Sequence, residues 1–166
     1  MAATTTLKPI ALGYRAVGSS SSTSYTRLMG VLKGLSISQD EPDSTEIEAE
    51  FYDSPFDIFY QGKPVTMTFE LANYELSELE PIFGGDSGTG VYEGPTAVTT
   101  NEFEWKLDFG RGYASLVIYK GLTVGTLKKD ADGALNFAVT ITSSIVTTGT
   151  GAEAVDHMYK IVASNT

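Results

Sequence analysis

The chain contains no cysteine, a single histidine and a single tryptophan. Without cysteine it can have no disulfide framework, no thiolate zinc site and no cysteine nucleophile. No segment approaches the ~20 consecutive apolar residues that a membrane-spanning helix needs, so we expect no membrane partner. Residues 1–8 lack a basic start followed by an apolar run. We therefore do not expect a secretory signal there, and we expect a soluble cytoplasmic protein.

Basic residues are also scarce. Eleven Lys and Arg stand against 21 Asp and Glu, which gives a net charge of −10 at pH 7. Such a surface repels nucleic acid phosphates and anionic membranes, so ordinary electrostatic DNA binding is not expected. The length of 166 residues fits one domain, and a core of that size needs no disulfide or metal for stability. We find no linker or internal repeat, and we treat residues 1–166 as one domain with no cofactor.

Residues 102–109 alternate strictly between charged and apolar side chains, and Trp105 belongs to the apolar set. This period of two predicts a strand with one buried face, so we expect Trp105 in the core. Glycines at positions 110 and 112 then turn the chain into a second apolar run at 113–119. The two runs together predict a β-hairpin.

Similar alternation, or enrichment in β-branched and aromatic residues, predicts strands over much of the remaining chain. These strands cover residues 8–17, 26–37, 44–51, 56–60, 63–71, 121–127, 135–145 and 155–163. One short helix is predicted to start at Tyr74 and to be ended by Gly84-Gly85, with Asn73 as its N-cap and Pro81 in its last turn. The expected fold class is all-β, a sandwich or barrel with one short flanking α-helix.

Three stretches are predicted to lie outside the body of the domain. Residues 18–24 are low in complexity and expected to be mobile, and residues 84–96 contain too many glycines for regular structure. Residues 38–62 form an acidic excursion with its own candidate strands, which we expect to project as an arm. Because a two-stranded hairpin is marginal alone in water, a neighbouring subunit is the simplest source of support for it.

The arm carries a candidate contact surface for another copy of the chain. Acidic and apolar residues alternate along its first strand, and a solvated acidic face explains this pattern better than a calcium site. The apolar residues are predicted to be buried against an adjacent subunit. The predicted subunit-interface residues are Ile47, Ala49, Phe51, Phe56, Ile58 and Phe59.

Catalytic chemistry has little support in the sequence. Ser87 lies in Gly-Asp-Ser-Gly, which is similar to the surroundings of a serine protease nucleophile. That mechanism needs a general base beside the serine, and the single histidine, His157, follows the serine instead of preceding it as in chymotrypsin-like proteases. We expect no enzyme, no catalytic residue and no metal site. The alternative function is a β-sandwich binding module that recognises carbohydrate or protein through Trp105 or residues 84–96, and a hydrolase centred on Ser87 is a weaker third.

The order of these features resembles the tail tube proteins of long-tailed bacteriophages. The resemblance starts with the strand at 27–38, the acidic excursion and the strand at 64–71. It continues through the short helix at 74–85 and the paired strands at 102–119. Tubes of type VI secretion systems and of phage-derived injection devices share that fold.

This resemblance implies a structural subunit with a tail-tube-like fold. In that family, subunits form a hexameric ring, their sheets merge into an inner barrel, and rings stack into a hollow tube that conducts DNA or effectors. The implied partners are further copies of the chain, tape measure and tail terminator proteins, and DNA that passes through the lumen without specific binding. An acidic lumen would repel the phosphates and let a genome slide. The implied location is the virion tail, and the bacterial host cytoplasm during assembly.

Overall fold

Strands dominate the computed structural model of the chain, which describes residues 11–20, 22–41, 43–47, 57–97, 101–110, 113–148 and 155–163. The strands up to the helix are β1 (Ala11–Ala16), β2 (Thr26–Arg27), β3 (Val31–Gln39), β4 (Asp43–Ile47), β5 (Asp57–Gln61) and β6 (Val65–Ala72). Helix α1 (Leu76–Phe83) follows, and then β7 (Asp86–Gly88), β8 (Val91–Glu93), β9 (Asn101–Asp108) and β10 (Ser115–Lys129). The last strands are β11 (Leu135–Ser143), β12 (Val146–Thr148), β13 (Val155–His157) and β14 (Tyr159–Val162). The all-β class with one short flanking helix is confirmed.

The body of the fold is an antiparallel sheet of eight strands in the order β2-β1-β9-β10-β11-β6-β3, with β14 also paired to β10. Three further sheets have two strands each: β4–β5, β7–β8 and β12–β13. The predicted hairpin at 102–119 is confirmed, since β9 and β10 are antiparallel neighbours with Trp105 opposite Ile118.

The strands predicted at 113–119 and 121–127 are a single strand in the structure. This strand is β10, which has 15 residues. Its register against β9 shifts between Ile118 and Gly121, which marks a β-bulge. On its other edge β10 pairs with β14 before the bulge and with β11 after it. The bulge is therefore the point at which β10 exchanges one neighbour for another.

The strand predicted at 26–37 is wrong as a single element. Its first part, β2, pairs with β1 at one edge of the sheet, and its second part, β3, pairs with β6 at the other edge. Only residues 28–30 join them, and four Cα–Cα steps span at most about 15 Å. The two edges of the sheet therefore approach each other here, and the sheet curls into a partly open barrel.

One face of the sheet supplies a single apolar core. Along β6 the alternation predicted from sequence is confirmed, because Met67 and Phe69 are buried while Thr68 is exposed. Trp105 is confirmed as a core residue with 1% of its surface exposed. Helix α1 packs on the same core through Leu79, Ile82 and Phe83.

The helix begins later than predicted, and Asn73 is not its N-cap. Glu75 occupies that position, and its backbone N–H donates to the Glu78 carboxylate at 3.2 Å. Asn73 instead adopts a φ of 54°, a left-handed conformation that asparagine tolerates better than most residues. The prediction of Asn73 as a cap was wrong because a turn intervenes between β6 and α1.

Residues 84–96 were predicted to lack regular structure, and this prediction is wrong. They contain the hairpin β7–β8, in which Ser87 lies opposite Tyr92. Two glycines with positive φ, Gly85 and Gly90, allow the entry and the turn of this hairpin. Glycine here marks tight turns between short strands and not an absence of strands.

Candidate assembly surfaces

The acidic excursion forms a hairpin of its own. Strands β4 and β5 pair antiparallel, from Asp43 opposite Gln61 to Ile47 opposite Asp57. Among the described residues this pair joins no other sheet. Five residue pairs at about 3.4 Å each give the described part of the hairpin a length of roughly 17 Å.

Two side-chain hydrogen bonds fasten the main sheet where the arm begins and ends. Gln39 Nε2 donates to the carbonyl oxygen of Lys63 at 2.8 Å. The backbone N–H of Val65 donates to Oγ of the buried Ser143, also at 2.8 Å. Since Gln39 and Val65 are the last pair of the β3–β6 ladder, the arm leaves and rejoins the body at one place.

The described part of the hairpin contains three of the predicted interface residues, Ile47, Ile58 and Phe59. Ile47 lies opposite Asp57, and Ile58 lies opposite Glu46. The assignment of Ile47, Ile58 and Phe59 to a subunit interface stays a prediction. Three predicted interface residues lie outside the described part of the chain, namely Ala49, Phe51 and Phe56.

An apolar groove lies beside the base of the arm, between the ends of β3 and β6 and strand β14. Ile37 and Val65 line one side of it and Ile161 the other, and its volume is about 380 Å³. Ile37 and Ile161 are 41% and 69% exposed. In the part of the chain that the structure describes, β3 pairs with β6 alone, so its outer edge presents unpaired backbone N–H and C=O groups.

The face of the sheet opposite the core is rich in hydroxyl groups. Register across β3, β6 and β11 forms two rows, Ser36–Thr68–Thr140 and Ser38–Thr66–Thr142. Charged side chains near these rows are paired: Lys128 with Glu70, and Lys33 with Asp130 at 3.4 Å. The rows themselves thus present neutral hydroxyls and no cation.

Arg15 and Glu104 form a largely buried ion pair between β1 and β9. Their side chains are 2.7 Å apart and only 11% and 6% exposed. The Tyr25 hydroxyl also donates to Glu104, and the Tyr25 ring lies over the guanidinium at 4.4 Å. The hydrogen bond to Glu104 raises the pKa of Arg15, and burial followed by the same carboxylate raises the pKa of Tyr25.

The same arginine anchors the stretch that we predicted to be mobile. Arg15 Nη1 donates to the carbonyl oxygens of Ser20 at 3.0 Å and Thr23 at 2.8 Å. The serine and threonine side chains add further bonds within the loop, such as Ser19 Oγ to the carbonyl oxygen of Ala16 at 2.6 Å. The described residues of 18–24 are therefore tied to β1 by hydrogen bonds, which composition does not indicate.

Ser87 and His157 occupy different elements with different partners. The Ser87 hydroxyl donates to the Glu80 carboxylate, which also accepts the Ser87 backbone N–H at 3.2 Å. The His157 ring lies against Tyr119, with 5.9 Å between the ring centroids. Among the described residues no hydrogen bond joins Ser87 to His157.

A second groove, which the sequence did not predict, lies between α1, the β7–β8 hairpin and the ends of β10 and β11; we call it the α1 groove. It has a volume of about 680 Å³ and an apolar lining centred on Phe137. Phe83 stacks on Phe137 at 5.0 Å, while Tyr74 and Tyr92 meet its ring edge-on at 5.3 and 6.2 Å. Gly125 leaves room for Phe83, since a Cβ there would lie 2.3 Å from that ring. The sequence predicted the helix and the strand at 135–145, both of which line this groove, but it did not predict that they meet.

The described residues contain no group of His, Cys, Asp or Glu side chains arranged to hold a metal ion. None of their helices has the length and apolar character needed to span a bilayer. No protein-family model matches the chain, and no curated protein matches it.

Proposed function

We propose that the chain is a structural subunit whose copies form rings, hexameric by the family resemblance, that stack into the hollow tail tube of a phage or phage-like particle. The tube conducts DNA or effector proteins. Its subunits contact one another, the tape measure and tail terminator proteins at its ends, and passing DNA without sequence recognition. Its place is the virion tail, after assembly in the cytoplasm of the bacterial host.

The observation that carries this proposal is the hairpin β4–β5. It leaves the body at the end of the β3–β6 ladder and pairs with itself instead of joining the main sheet. A two-stranded hairpin has little stability of its own in water, so a second surface has to support it. A neighbouring copy supplies such a surface in every subunit of a ring, because head-to-tail contacts close when the rotation fits.

The open side of the barrel supports the same conclusion. The outer edge of β3 offers backbone groups to an incoming strand, and the apolar groove at Ile37 and Ile161 lies next to it. Strand addition at such an edge forms main-chain hydrogen bonds, and the groove adds apolar burial. In a ring in which each copy covers the β3 edge of the next, no β3 edge stays exposed.

The hydroxyl-rich face of the sheet and the negative charge of the chain are properties expected of the wall of a DNA conduit. Rows of serine and threonine hydroxyls offer no cation that would retain a phosphate. The net charge of −10 adds repulsion, so DNA in contact with many subunits would not be held at each one. The burial of Trp105 weighs against the alternative of a carbohydrate-binding module, because that ring offers no stacking platform.

Negative-stain electron microscopy of the concentrated protein tests the proposal. We expect rings with a central hole and stacks of such rings, and sedimentation should show mass increasing with protein concentration. A folded chain that stays monomeric at every concentration, also when the tube-initiating proteins of its own particle are added, would contradict the proposal.

A further inference from the structure

The main sheet carries a row of three cations across strands β2, β1, β9, β10 and β14. Gly13 of β1 lies opposite Arg27 on one side and opposite Lys106 on the other. Lys106 also lies opposite Val117, and Val117 lies opposite Lys160. Because cross-strand partners share a face, Arg27, Lys106 and Lys160 project from the same side of the sheet. We call these three residues the cation row.

The cation row lies on the outer face of the sheet. Lys106 stands between Trp105 and Leu107, which are both core residues. Successive side chains along a strand point to opposite faces, so the row points away from the core. Arg27 and Lys160 are exposed, and Lys106 is half-buried. Four steps between neighbouring strands, each about 4.8 Å, give the row a length of about 19 Å along the sheet.

Two tyrosine rings position the ammonium groups of the row. Lys106 Nζ lies 5.9 Å from the centre of the Tyr25 ring, and Lys160 Nζ lies 5.3 Å from the centre of the Tyr119 ring. An aromatic face attracts a cation at this distance without neutralising its charge. Neither lysine has an ion-pair partner among the residues that the structure describes. Both positive charges are therefore available to an acidic partner.

The carboxylates nearest to the row are already engaged. Glu104 is paired with Arg15, and both lie on the outer face one row further along β9 and β1. Asp108 lies on the other side of the row and accepts the backbone N–H of Gly110 at 2.9 Å. Together with Arg15, the cation row gives four cations against these two carboxylates, a local net charge of +2. In a chain with a net charge of −10, this area is the exception.

The arm has the complementary charge. Residues 38–62 contain eight of the 21 acidic residues of the chain and no basic one. Opposite charges across an interface guide the encounter and fix the register of the partners. The arm also needs support from a second surface, because a two-stranded hairpin is marginal alone in water. The cation row offers such a surface with the required charge.

A copy's own arm starts on the side of the sheet opposite to its cation row. Gln39, where the arm leaves the body, lines the groove at the base of the arm together with Ile161 of β14. Lys160 precedes Ile161 along this strand and so points to the other face. The described strands of the arm pack chiefly on each other. The carboxylates that bind the row therefore come from a second copy.

Nucleic acid is the other common polyanion, and the charge of the chain disfavours it. A phosphate backbone longer than the row also meets the acidic surface around the row and is repelled there. The arm instead brings its carboxylates to one place.

We propose that the acidic arm of one copy docks on the cation row of the next, where its carboxylates form ion pairs centred on Lys106 and Lys160. The inference rests on the proposed function for the association of copies, and it names the surface that receives the arm. The hydroxyl rows belong to β3, β6 and β11, which contribute nothing to the cation row. An arm on the cation row therefore leaves the hydroxyl rows uncovered.

Sedimentation velocity of the full-length chain over a range of concentrations tests the role of the lysines. Lys106→Gln with Lys160→Gln, the row pair, should weaken association about fivefold or more, and association of the wild type should weaken with added salt. The matched control is Lys128→Gln with Lys129→Gln, which removes the same charge at the far end of β10 and should associate like wild type. Equal association of the two double variants overturns the inference. Circular dichroism checks that both fold.

Zero-length cross-linking identifies the partner of the row directly. A carbodiimide joins an ammonium group to a carboxylate in contact with it as an amide, and an equal mixture of unlabelled and isotopically labelled full-length chains separates links between copies from links within one. Mass spectrometry should find mixed-isotope links from Lys106 or Lys160 to acidic residues of 38–62. Links from the arm only to other lysines, or only within one copy, overturn the inference.

The outcomes separate this contact from the tube. Rings without links between arm and row overturn the contact and leave the tube proposal standing. Linked pairs of copies that never form rings support the contact and count against the tube, and a chain that never associates overturns both. A short single-stranded oligonucleotide that binds the wild type and not the row pair would assign the row to phosphate groups, which also overturns the inference.

Discussion

Trp105 donates a hydrogen bond from Nε1 to Oγ1 of Thr123 at 3.0 Å, and the two side chains are 1% and 0% exposed. Thr123 Oγ1 in turn donates to the carbonyl oxygen of Gly121 at 3.3 Å. The pair ties β9 to the part of β10 beyond the bulge and satisfies the indole N–H in the middle of the core.

Replacing Thr123 by Val should leave that indole N–H without a partner and lower the free energy of unfolding by about 1–3 kcal/mol. Trp105→Ala should cost about 3–5 kcal/mol, as the loss of a buried large aromatic side chain does. Urea denaturation measures both. Thr68→Val, the same change at an exposed position of the polar face, is the control; an equal cost at the two threonines would contradict the role of the hydrogen bond.

Gly125→Ala should destabilise the fold by about 1–3 kcal/mol, because the added methyl group overlaps the Phe83 ring and forces repacking. Gly88→Ala is the matched control, since a Cβ at Gly88 meets nothing within 4 Å. Thermal or urea unfolding of the two variants gives the comparison. A neutral Gly125→Ala would show that Phe83 moves freely, and the aromatic cluster around Phe137 would then be loosely packed.

Stability should fall as the pH rises above about 10, the ordinary pKa of tyrosine. Burial and the hydrogen bond to Glu104 raise the pKa of Tyr25 in the folded state, so the unfolded chain loses this proton first and alkaline pH favours unfolding. Burial also raises the pKa of Tyr14 and Tyr92. Tyr25→Phe should therefore reduce the slope of unfolding free energy against pH without abolishing it. Equal slopes for wild type and Tyr25→Phe would contradict the assignment.

The double variant Ser87→Ala with His157→Asn should fold and assemble like wild type. Neither residue contacts the other, and the Ser87 hydroxyl is engaged by Glu80. Circular dichroism, ring formation and phage infectivity are the measurements. If the variant folds and assembles but loses infectivity, the prediction is contradicted and a catalytic role for Ser87 or His157 is supported.

Replacing residues 41–60 by a short Gly-Ser link should leave a folded body that no longer polymerises. The main sheet includes neither β4 nor β5, so circular dichroism should retain its β signature. Electron microscopy and sedimentation should show loss of stacked rings. Normal tubes would mean that the arm is dispensable, and an unfolded product would mean that it belongs to the core.

Side-chain alternation predicted the sheet well wherever a strand has one buried and one exposed face. Residues 63–71 and 102–109 are of this kind, and both predictions are confirmed. The alternation of side chains did not predict strand boundaries correctly where these depend on pairing with strands distant in sequence. Nothing in residues 26–37 indicates that the chain passes from one edge of the sheet to the other at Gly30, where a Cβ would lie 2.5 Å from the Leu71 side chain.

The candidate surfaces were only partly predictable for the same reason. Period two indicated a hairpin in the arm, yet the pairing of Ile58 with Glu46 depends on where the turn falls, which the sequence pattern did not determine. The α1 groove was not predictable, because its rings come from β6–α1, β8 and β11 and meet only in the folded chain.

The pairing of β1 with β9, and of β10 with β14, sets the order in which the molecule can be completed. During synthesis β1 leaves the ribosome long before its partner β9 exists, and β10 in turn is complete before β14 has been made. Such non-local pairing is typical of domains that fold in milliseconds to seconds, not microseconds. A nascent chain therefore lacks the complete main sheet until β14 has emerged, so the outer edge of β3 belongs to a finished sheet only after that point.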